Sequence, residues 1–123
     1  MTQEQSDWQI NTAHASPGRF KKFAGKHARE YASLFANLDK IMGLLAAGQK
    51  PGSFQVGFFR SEREGVYRIG QTGVPSAKES RLYVYPDEQN RIMYVLNIGT
   101  KEGQAEDINE AHRTARSLKP TIQ

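Results

Sequence analysis

Large apolar side chains recur along this chain with two different periods, and each period predicts a type of secondary structure. Between residues 31 and 45 they recur at steps of three and four, which predicts one long amphipathic helix. Gly48 and Pro51 predict where this helix ends. A shorter helix is predicted over residues 17–24, because Ser16 precedes a proline and so supplies a good N-cap. The first half of the chain is therefore expected to hold two consecutive helices.

The strand signals are shorter, and most of them lie in the second half of the chain. The predicted strands are part of residues 7–13, and then residues 66–71, 81–85 and 92–98. Within 81–85 the alternation predicts that Leu82 and Val84 face the helices, whereas the residues facing away are Arg81, Tyr83 and Tyr85. The strand at 92–98 is apolar on both faces, which predicts a central and well-covered position. Residues 52–64 mix alternating apolar residues with glycines and a polar SERE run, so both an irregular strand and a loop remain open there.

Together these elements predict an α+β fold in one domain, 1–123, with the order β-α-α-β-β-β-α. The two N-terminal helices are expected to pack on one face of a small, mainly antiparallel, curved sheet and to leave the other face open. A last helix over residues 104–117 has only a thin apolar stripe. The ends, residues 1–6 and 118–123, are expected to be flexible.

Composition excludes several classes of site. The chain has no cysteine, which excludes disulfides, thiolate metal sites and cysteine nucleophiles, and its 3 histidines share no spacing typical of metal ligands. No metal and no cofactor are therefore predicted. The first residues lack the basic start and apolar stretch of a signal peptide, and no apolar run is long enough for a membrane span. We accordingly expect a cytoplasmic protein without a membrane partner.

The formal net charge of +4 is modest, so the positions of the cations matter more than their number. One cluster surrounds the first helix and is a candidate for binding nucleic-acid phosphates; it consists of Arg19, Lys21, Lys22, Lys26 and Arg29. The alternative is an ordinary solvated helix face.

A second set of cations lies on the predicted strands. Arg68 is in the middle of one strand, Arg81 opens the next, and Lys101 follows the last. If the strands pair side by side, the three cations converge near one surface, where arginine forks and a neighbouring tyrosine suit a polyanion. The alternative is a solvent-facing sheet with cross-strand charge pairs.

Four strings of the chain occur in a characteristic order: RFKKFAGKHAREY, VYRIG, SRLYVYPDEQNRIMYVLNIGTKE and NEAHR. Their order and spacing over residues 7–116 resemble the RelE/ParE superfamily of bacterial toxins from type II toxin–antitoxin systems. The resemblance implies a two-helix layer on a curved sheet. It also implies a cognate antitoxin protein as a partner.

The RelE branch, which the resemblance favours, consists of ribosome-dependent mRNA endonucleases. Their cleavage needs no metal, because the 2′-hydroxyl of the RNA attacks the adjacent phosphate and leaves a cyclic phosphate. By position, the family's catalytic cations are matched by Arg68, Arg81 and Lys101. Cations at these places are expected to stabilise the negative charge that develops in the transition state.

The chain departs from the family pattern at two places that matter for catalysis. Gly70 stands where a second basic residue is expected, and Ala105 stands where a tyrosine is expected. His112 and Tyr83 are then the candidates for proton transfer. The departures also keep two alternatives open, a ParE-like inhibitor of DNA gyrase and a catalytically degenerate homologue that only binds an antitoxin.

Overall fold

The computed structural model describes residues 7–75 and 78–119. Its helices are α1 (Pro17–Lys26), α2 (Ala28–Ala46) and α3 (Gln104–Leu118), and its strands are β1 (Gln9–Asn11), β2 (Phe59–Ser61), β3 (Tyr67–Gly70), β4 (Ser80–Asp87) and β5 (Ile92–Thr100). Single 3₁₀ turns lie at Pro51–Ser53 and Lys101–Gly103. Residues 1–6 and 120–123, for which flexibility was predicted, lie outside the described residues. Leu118 was assigned to the flexible end, but it is the last residue of α3 and packs against the core.

One five-stranded sheet forms the centre of the fold, with the strand order β1-β5-β4-β3-β2. β1 is parallel to β5, and the other neighbours are antiparallel, which confirms a mainly antiparallel sheet. The order of elements differs from the prediction by one strand, because β2 forms within the stretch left open between strand and loop. The mixed α+β class is confirmed.

The N-terminal helices form as their sequences indicate, although α1 continues past Gly25 to Lys26. The Ser16 hydroxyl accepts a hydrogen bond from the Arg19 amide at 3.3 Å, as expected of an N-cap. Both helices contribute to the larger core together with one side of the sheet; its fully buried members include Leu34, Ile41, Ile69, Leu82, Val84 and Val95. Leu82 and Val84 therefore face the helices, as the alternation of β4 predicts.

An irregularity in the β4–β5 pairing changes what the second face of the sheet presents. Tyr83 lies opposite Asn97, and Val84 lies opposite Val95, so Leu96 is an extra residue on β5. Leu96 packs in the core of the second face, and the Asn97 amide donates to the Asp107 carbonyl of α3. Two consecutive residues of β5 thus reach the same side, beneath α3.

The prediction that the second face is open is wrong, because α3 lies across β4 and β5 on that side. The thin stripe of the sequence, Ile108, Ala111 and Ala115, packs against the sheet, and both alanines are fully buried. Small side chains let a helix backbone approach a sheet closely, so a short apolar stripe suffices to hold this helix. None of the helices described here is long and apolar enough to cross a membrane.

Candidate functional site

A cleft of about 390 Å³ opens on the α3 side of the sheet, beyond the part that α3 covers. Its volume lies in the lower part of the range of roughly 300–1,000 Å³ that is usual for ligand sites. The lining includes three arginines from three neighbouring strands, Arg60 of β2, Arg68 of β3 and Arg81 of β4. The strands therefore bring two of the three predicted cations into one cleft, together with an arginine that was not predicted.

Strand register explains why these arginines meet. Arg60 lies directly opposite Arg68, and Gly70, two residues further along β3, lies directly opposite Arg81. Residues two apart on a strand share a face, and directly opposed residues share it as well. All three arginines consequently project to the same side. Gly70 has no side chain to fill the space across from Arg81.

Arg81 is much more buried than expected of a side chain that faces away from the helices, with only 11% of its side chain exposed. Its Nη1 lies 3.2 Å from Glu79 Oε1. Its Nε is buried and has no hydrogen-bond partner among the described residues. A guanidinium has five N–H donors, so this largely desolvated cation retains donor capacity.

Lys101 lies beside the cleft, and it does not line it. Its Nζ is 3.9 Å from Glu79 Oε2, so the carboxylate of Glu79 bridges Lys101 and Arg81. Arg68 has its own carboxylate, with its Nε 3.3 Å from Glu62 Oε2, and its Nη1 donates to Gln104 Oε1 of α3 at 3.4 Å. All three predicted cations are therefore paired with side chains of the same chain.

Polar residues of α2 hold one wall of the cleft in place. The amide of Asn37, a residue that is almost fully buried, donates to the Gly70 carbonyl at 2.8 Å. One turn earlier, the Ser33 hydroxyl bonds to both the amide and the carbonyl of Thr72. Because Gly70 and Thr72 line the cleft, α2 fixes the segment at which β3 ends.

Three residues of the basic cluster around α1, Arg19, Lys22 and Lys26, line one pocket together with Asp107. Arg19 forms ion pairs with Asp107 and Glu110 of α3, and its Nε donates to the Ile98 carbonyl at 3.0 Å. These contacts connect α1 to α3, so Arg19 contributes to the packing of the two helices. The remaining cluster members, Lys21, Lys22, Lys26 and Arg29, are exposed.

The Arg19 contacts leave Asp107 in a tight position. Burial is the main cause that raises the pKa of the Asp107 carboxyl, whereas the Arg19 hydrogen bond opposes the shift. A Cβ added at Gly99 would overlap with this carboxylate. A side chain at position 99 of β5 would therefore require the Asp107 carboxylate to move away from its place beside Arg19.

The two candidates for proton transfer do not line the cleft. Tyr83 is fully buried beneath α3, and desolvation is the main cause that raises its pKa to about 12. His112 lies with its Nε2 2.7 Å from the backbone carbonyl of Glu62, and since a carbonyl can only accept, Nε2 carries a proton. Both side chains belong to the packing of α3.

The turn between β2 and β3 is held by basic residues of α3. Arg63, Glu64 and Gly65 all have positive φ angles, 73°, 54° and 83°, a region that residues other than glycine seldom adopt. The contacts that hold this turn come from two residues of α3 and from Lys119, which directly follows the helix. His112 contacts the Glu62 carbonyl, Arg116 binds the Glu64 carboxylate through two nitrogens, and Lys119 donates to the Glu64 carbonyl.

The sequence interpretation missed four contributors to the site: Arg60, Glu62, Glu79 and Gln104. Arg60 lay in the stretch left open between strand and loop, so its pairing with Arg68 could not be placed. Glu62 and Glu79 were missed because they lie just outside the strands, where the alternation of side chains no longer predicts which side of the sheet they face. One signal was present, since Glu79 stands two residues before Arg81 and so shares its face if the strand is extended.

Among residues 7–75 and 78–119, no three histidine, aspartate or glutamate side chains cluster as metal ligands would. The features of the cleft are thus its arginines and their carboxylates. Comparison with known proteins adds no relative: no protein-family model, no curated protein and no solved structure matches the chain.

Proposed function

We propose that this protein is a RelE-like toxin that cleaves mRNA on the ribosome without a metal. The observation that carries the proposal is the meeting of Arg68 and Arg81 in one cleft, with Lys101 beside it. The order of helices and strands is also compatible with the RelE/ParE fold. Both features agree with the resemblance of the sequence strings to the RelE/ParE superfamily. RNA is proposed as the substrate because of that resemblance.

In the proposed reaction, the 2′-oxygen of one nucleotide forms a bond to the adjacent phosphorus, and the bond from phosphorus to the 5′-oxygen breaks. The 2′-hydroxyl gives its proton to a water molecule of the open cleft, and the departing 5′-oxygen takes a proton from water. Arg81 binds the non-bridging phosphate oxygens together with its neighbours Arg68 and Lys101, and negative charge accumulates on these oxygens. The partial burial of Arg81 strengthens this interaction, because water screens a buried charge less.

The test is controlled expression followed by mapping of mRNA ends. We expect the native protein to produce new ends within translated regions, and Arg81→Gln to reduce them at least a hundredfold, since single oxyanion-binding groups are worth about 10²–10³ in rate. Arg91→Gln is the matched control. Arg91 is exposed and pairs with Asp7, and it does not line the cleft.

Because Arg81 is mostly buried, the fold of Arg81→Gln has to be verified by circular dichroism and thermal unfolding. Arg68→Gln, at a more exposed side chain, gives a second variant with less risk to the fold. Intact transcripts during growth arrest by the native protein would refute the ribonuclease proposal.

A second candidate, a catalytically degenerate or ParE-like homologue, is favoured by the positions of Tyr83 and His112. Neither lines the cleft, so neither supplies an accessible group for proton transfer there. Double-strand DNA breaks in place of RNA cleavage would support gyrase as the target. The absence of toxicity, with retained binding of a partner protein, would support the degenerate homologue.

The proposed function implies partner molecules and a cellular location. We expect a small antitoxin protein that wraps the sheet or displaces α3, and translated mRNA as the substrate, which places the protein in the cytoplasm. A neighbouring short reading frame with a DNA-binding motif would support the antitoxin. Copurification with the product of that frame would test it directly.

A further inference from the structure

Glu79 occupies an unusual place at the mouth of the cleft. It lies just before β4, and its carbonyl accepts a hydrogen bond from the Lys101 amide at 2.9 Å. Its carboxylate gives one oxygen to Arg81 and the other to Lys101, at 3.2 and 3.9 Å. Two oxygens of one anion thus bridge two cations, which is also how two non-bridging oxygens of a phosphate would bind them.

The two partners of this ion pair, Arg81 and Glu79, differ in solvent exposure. Glu79 has 60% of its side chain exposed, whereas Arg81 has 11%. An exposed carboxylate gains little from such a pair, so it can turn into water when another anion takes its place on Arg81. The buried guanidinium cannot follow it, and leaving a largely desolvated cation without an anion is costly. Arg81 therefore requires an anion, and Glu79 is the one that can be exchanged.

We propose that Glu79 is an internal competitor of the anionic ligand of this cleft. Entry of a phosphate group of single-stranded RNA exchanges the Glu79 carboxylate for two phosphate oxygens on Arg81 and Lys101. The choice of RNA rests on the function proposed above, and the exchange itself rests on the contacts of Glu79. The exchange sets the affinity of the site for phosphate below the value that its cations alone would give.

A purely structural role for Glu79 makes the opposite prediction. If the carboxylate only orients Arg81 for the ligand, its removal weakens binding. If it competes with the ligand, its removal strengthens binding. The sign of the change in affinity therefore separates the two roles.

The experiment measures binding of a fluorescein-labelled, 2′-O-methylated single-stranded RNA by fluorescence anisotropy at fixed ionic strength. The 2′-O-methyl groups remove the nucleophile, so cleavage does not interfere. We expect Glu79→Gln to lower the Kd about two- to fivefold, which corresponds to the strength of an exposed ion pair. Inorganic phosphate should compete for the site, and more effectively in the variant.

Glu102→Gln is the matched control. It makes the same change in net charge at a residue two positions after the end of β5. There Glu102 pairs with Lys78, and 75% of its side chain is exposed. The control should change the Kd by less than about half the effect of Glu79→Gln, since exposed charges act weakly and are screened. Equal tightening by both variants would reduce the effect to net charge and overturn the proposal.

Weaker binding by Glu79→Gln, with an unchanged thermal midpoint, would assign Glu79 the orienting role and also overturn the proposal. So would the lack of RNA binding by all three proteins, because a site relieved of its competitor has to bind. The outcome is independent of catalysis. RNA cleavage without a Glu79 effect removes only this inference, and a Glu79 effect without cleavage removes only the ribonuclease.

Discussion

The two faces of the sheet bury their side chains in different ways. Under α1 and α2 the core is large and apolar, and its buried amide, Asn37, is hydrogen-bonded to β3 and Thr72. Under α3 the apolar cluster is smaller, and three buried polar atoms have no partner among the described residues: Arg81 Nε, Tyr83 Oη and Asn97 Oδ1. Buried polar groups are nearly always paired, so unpaired groups on the α3 face lower the free energy of unfolding.

The difference shows which face stabilises the fold and which carries the cleft. Unpaired polar atoms lower stability, and sites that bind ligands are where such costs commonly remain. In this protein the unpaired atoms belong to Arg81 and Tyr83, two residues apart on β4, and to Asn97, which lies opposite Tyr83 on β5. Arg81 itself lines the cleft. Substitutions on the two faces should therefore differ in size and even in sign.

The largest expected effect comes from truncating matched leucines on the two faces. Leu34→Ala should cost about 3–5 kcal/mol in the free energy of unfolding, and Leu96→Ala about 2–3 kcal/mol. Leu34 lies among large side chains that cannot fill the cavity, whereas Leu96 lies under the alanines of α3, which can settle. Denaturant unfolding of both variants measures the costs, and a reversed order would contradict the comparison.

A smaller effect of opposite sign is expected for Tyr83→Phe. The substitution removes a buried hydroxyl without a partner, so stability at neutral pH should stay the same or rise by about 1 kcal/mol. A loss well above that value would mean that the hydroxyl is hydrogen-bonded in solution. Thermal unfolding at neutral pH provides this measurement.

The Tyr83→Phe variant should also differ from the native protein at high pH. Burial raises the pKa of Tyr83 from 10.0 to about 12 and so disfavours the phenolate in the folded state. The unfolded state therefore ionises first, and stability is constant below about pH 10 and falls as the pH rises towards 12. Without the phenol, stability should fall less steeply in that window, by up to about 1.4 kcal/mol per pH unit. Identical alkaline profiles would contradict the assigned burial.

The smallest effect on stability is expected for Gly70→Lys, which adds a cation opposite Arg81. A Cβ at Gly70 has only the Phe58 carbonyl within 4 Å, at 3.9 Å, so stability should change by less than about 0.5 kcal/mol. The affinity for RNA, the proposed ligand, should rise. The slope of log affinity against log salt concentration should become steeper by the amount expected for about one more phosphate contact. Gly43→Lys on the exposed side of α2 is the control, and an equal gain there would contradict a local effect.

Much of the fold could be predicted because large apolar residues mark the face they bury. The stripe between Tyr31 and Leu45 gave α2, and the alternation of β4 gave the correct side for Leu82 and Val84. The position of α3 could not be predicted, because Ala111 and Ala115 are too small to mark a buried face. In this protein their small size is what allows the helix to approach the sheet.

The site was predictable only as far as strand parity reaches. Parity places Arg68 and Arg81 on one side of neighbouring strands, and the cleft contains both. It gives no information on side chains that leave a face to make distant pairs. The contacts of Arg19 could not be predicted for this reason, because 79 and 88 residues separate it from its partners Ile98 and Asp107. The sequence predicts Arg19 only as a member of a phosphate-binding cluster.

The turn at residues 62–65 depends on contacts from a part of the chain that is synthesised much later. Its left-handed residues are secured by contacts that come 50 to 55 residues later in the chain. Glu62, which begins this turn, also binds Arg68. During synthesis, every strand and all the arginines of the cleft exist before His112, Arg116 and Lys119 do. The wall that carries Arg68 thus acquires its final support only when the last helix has been made.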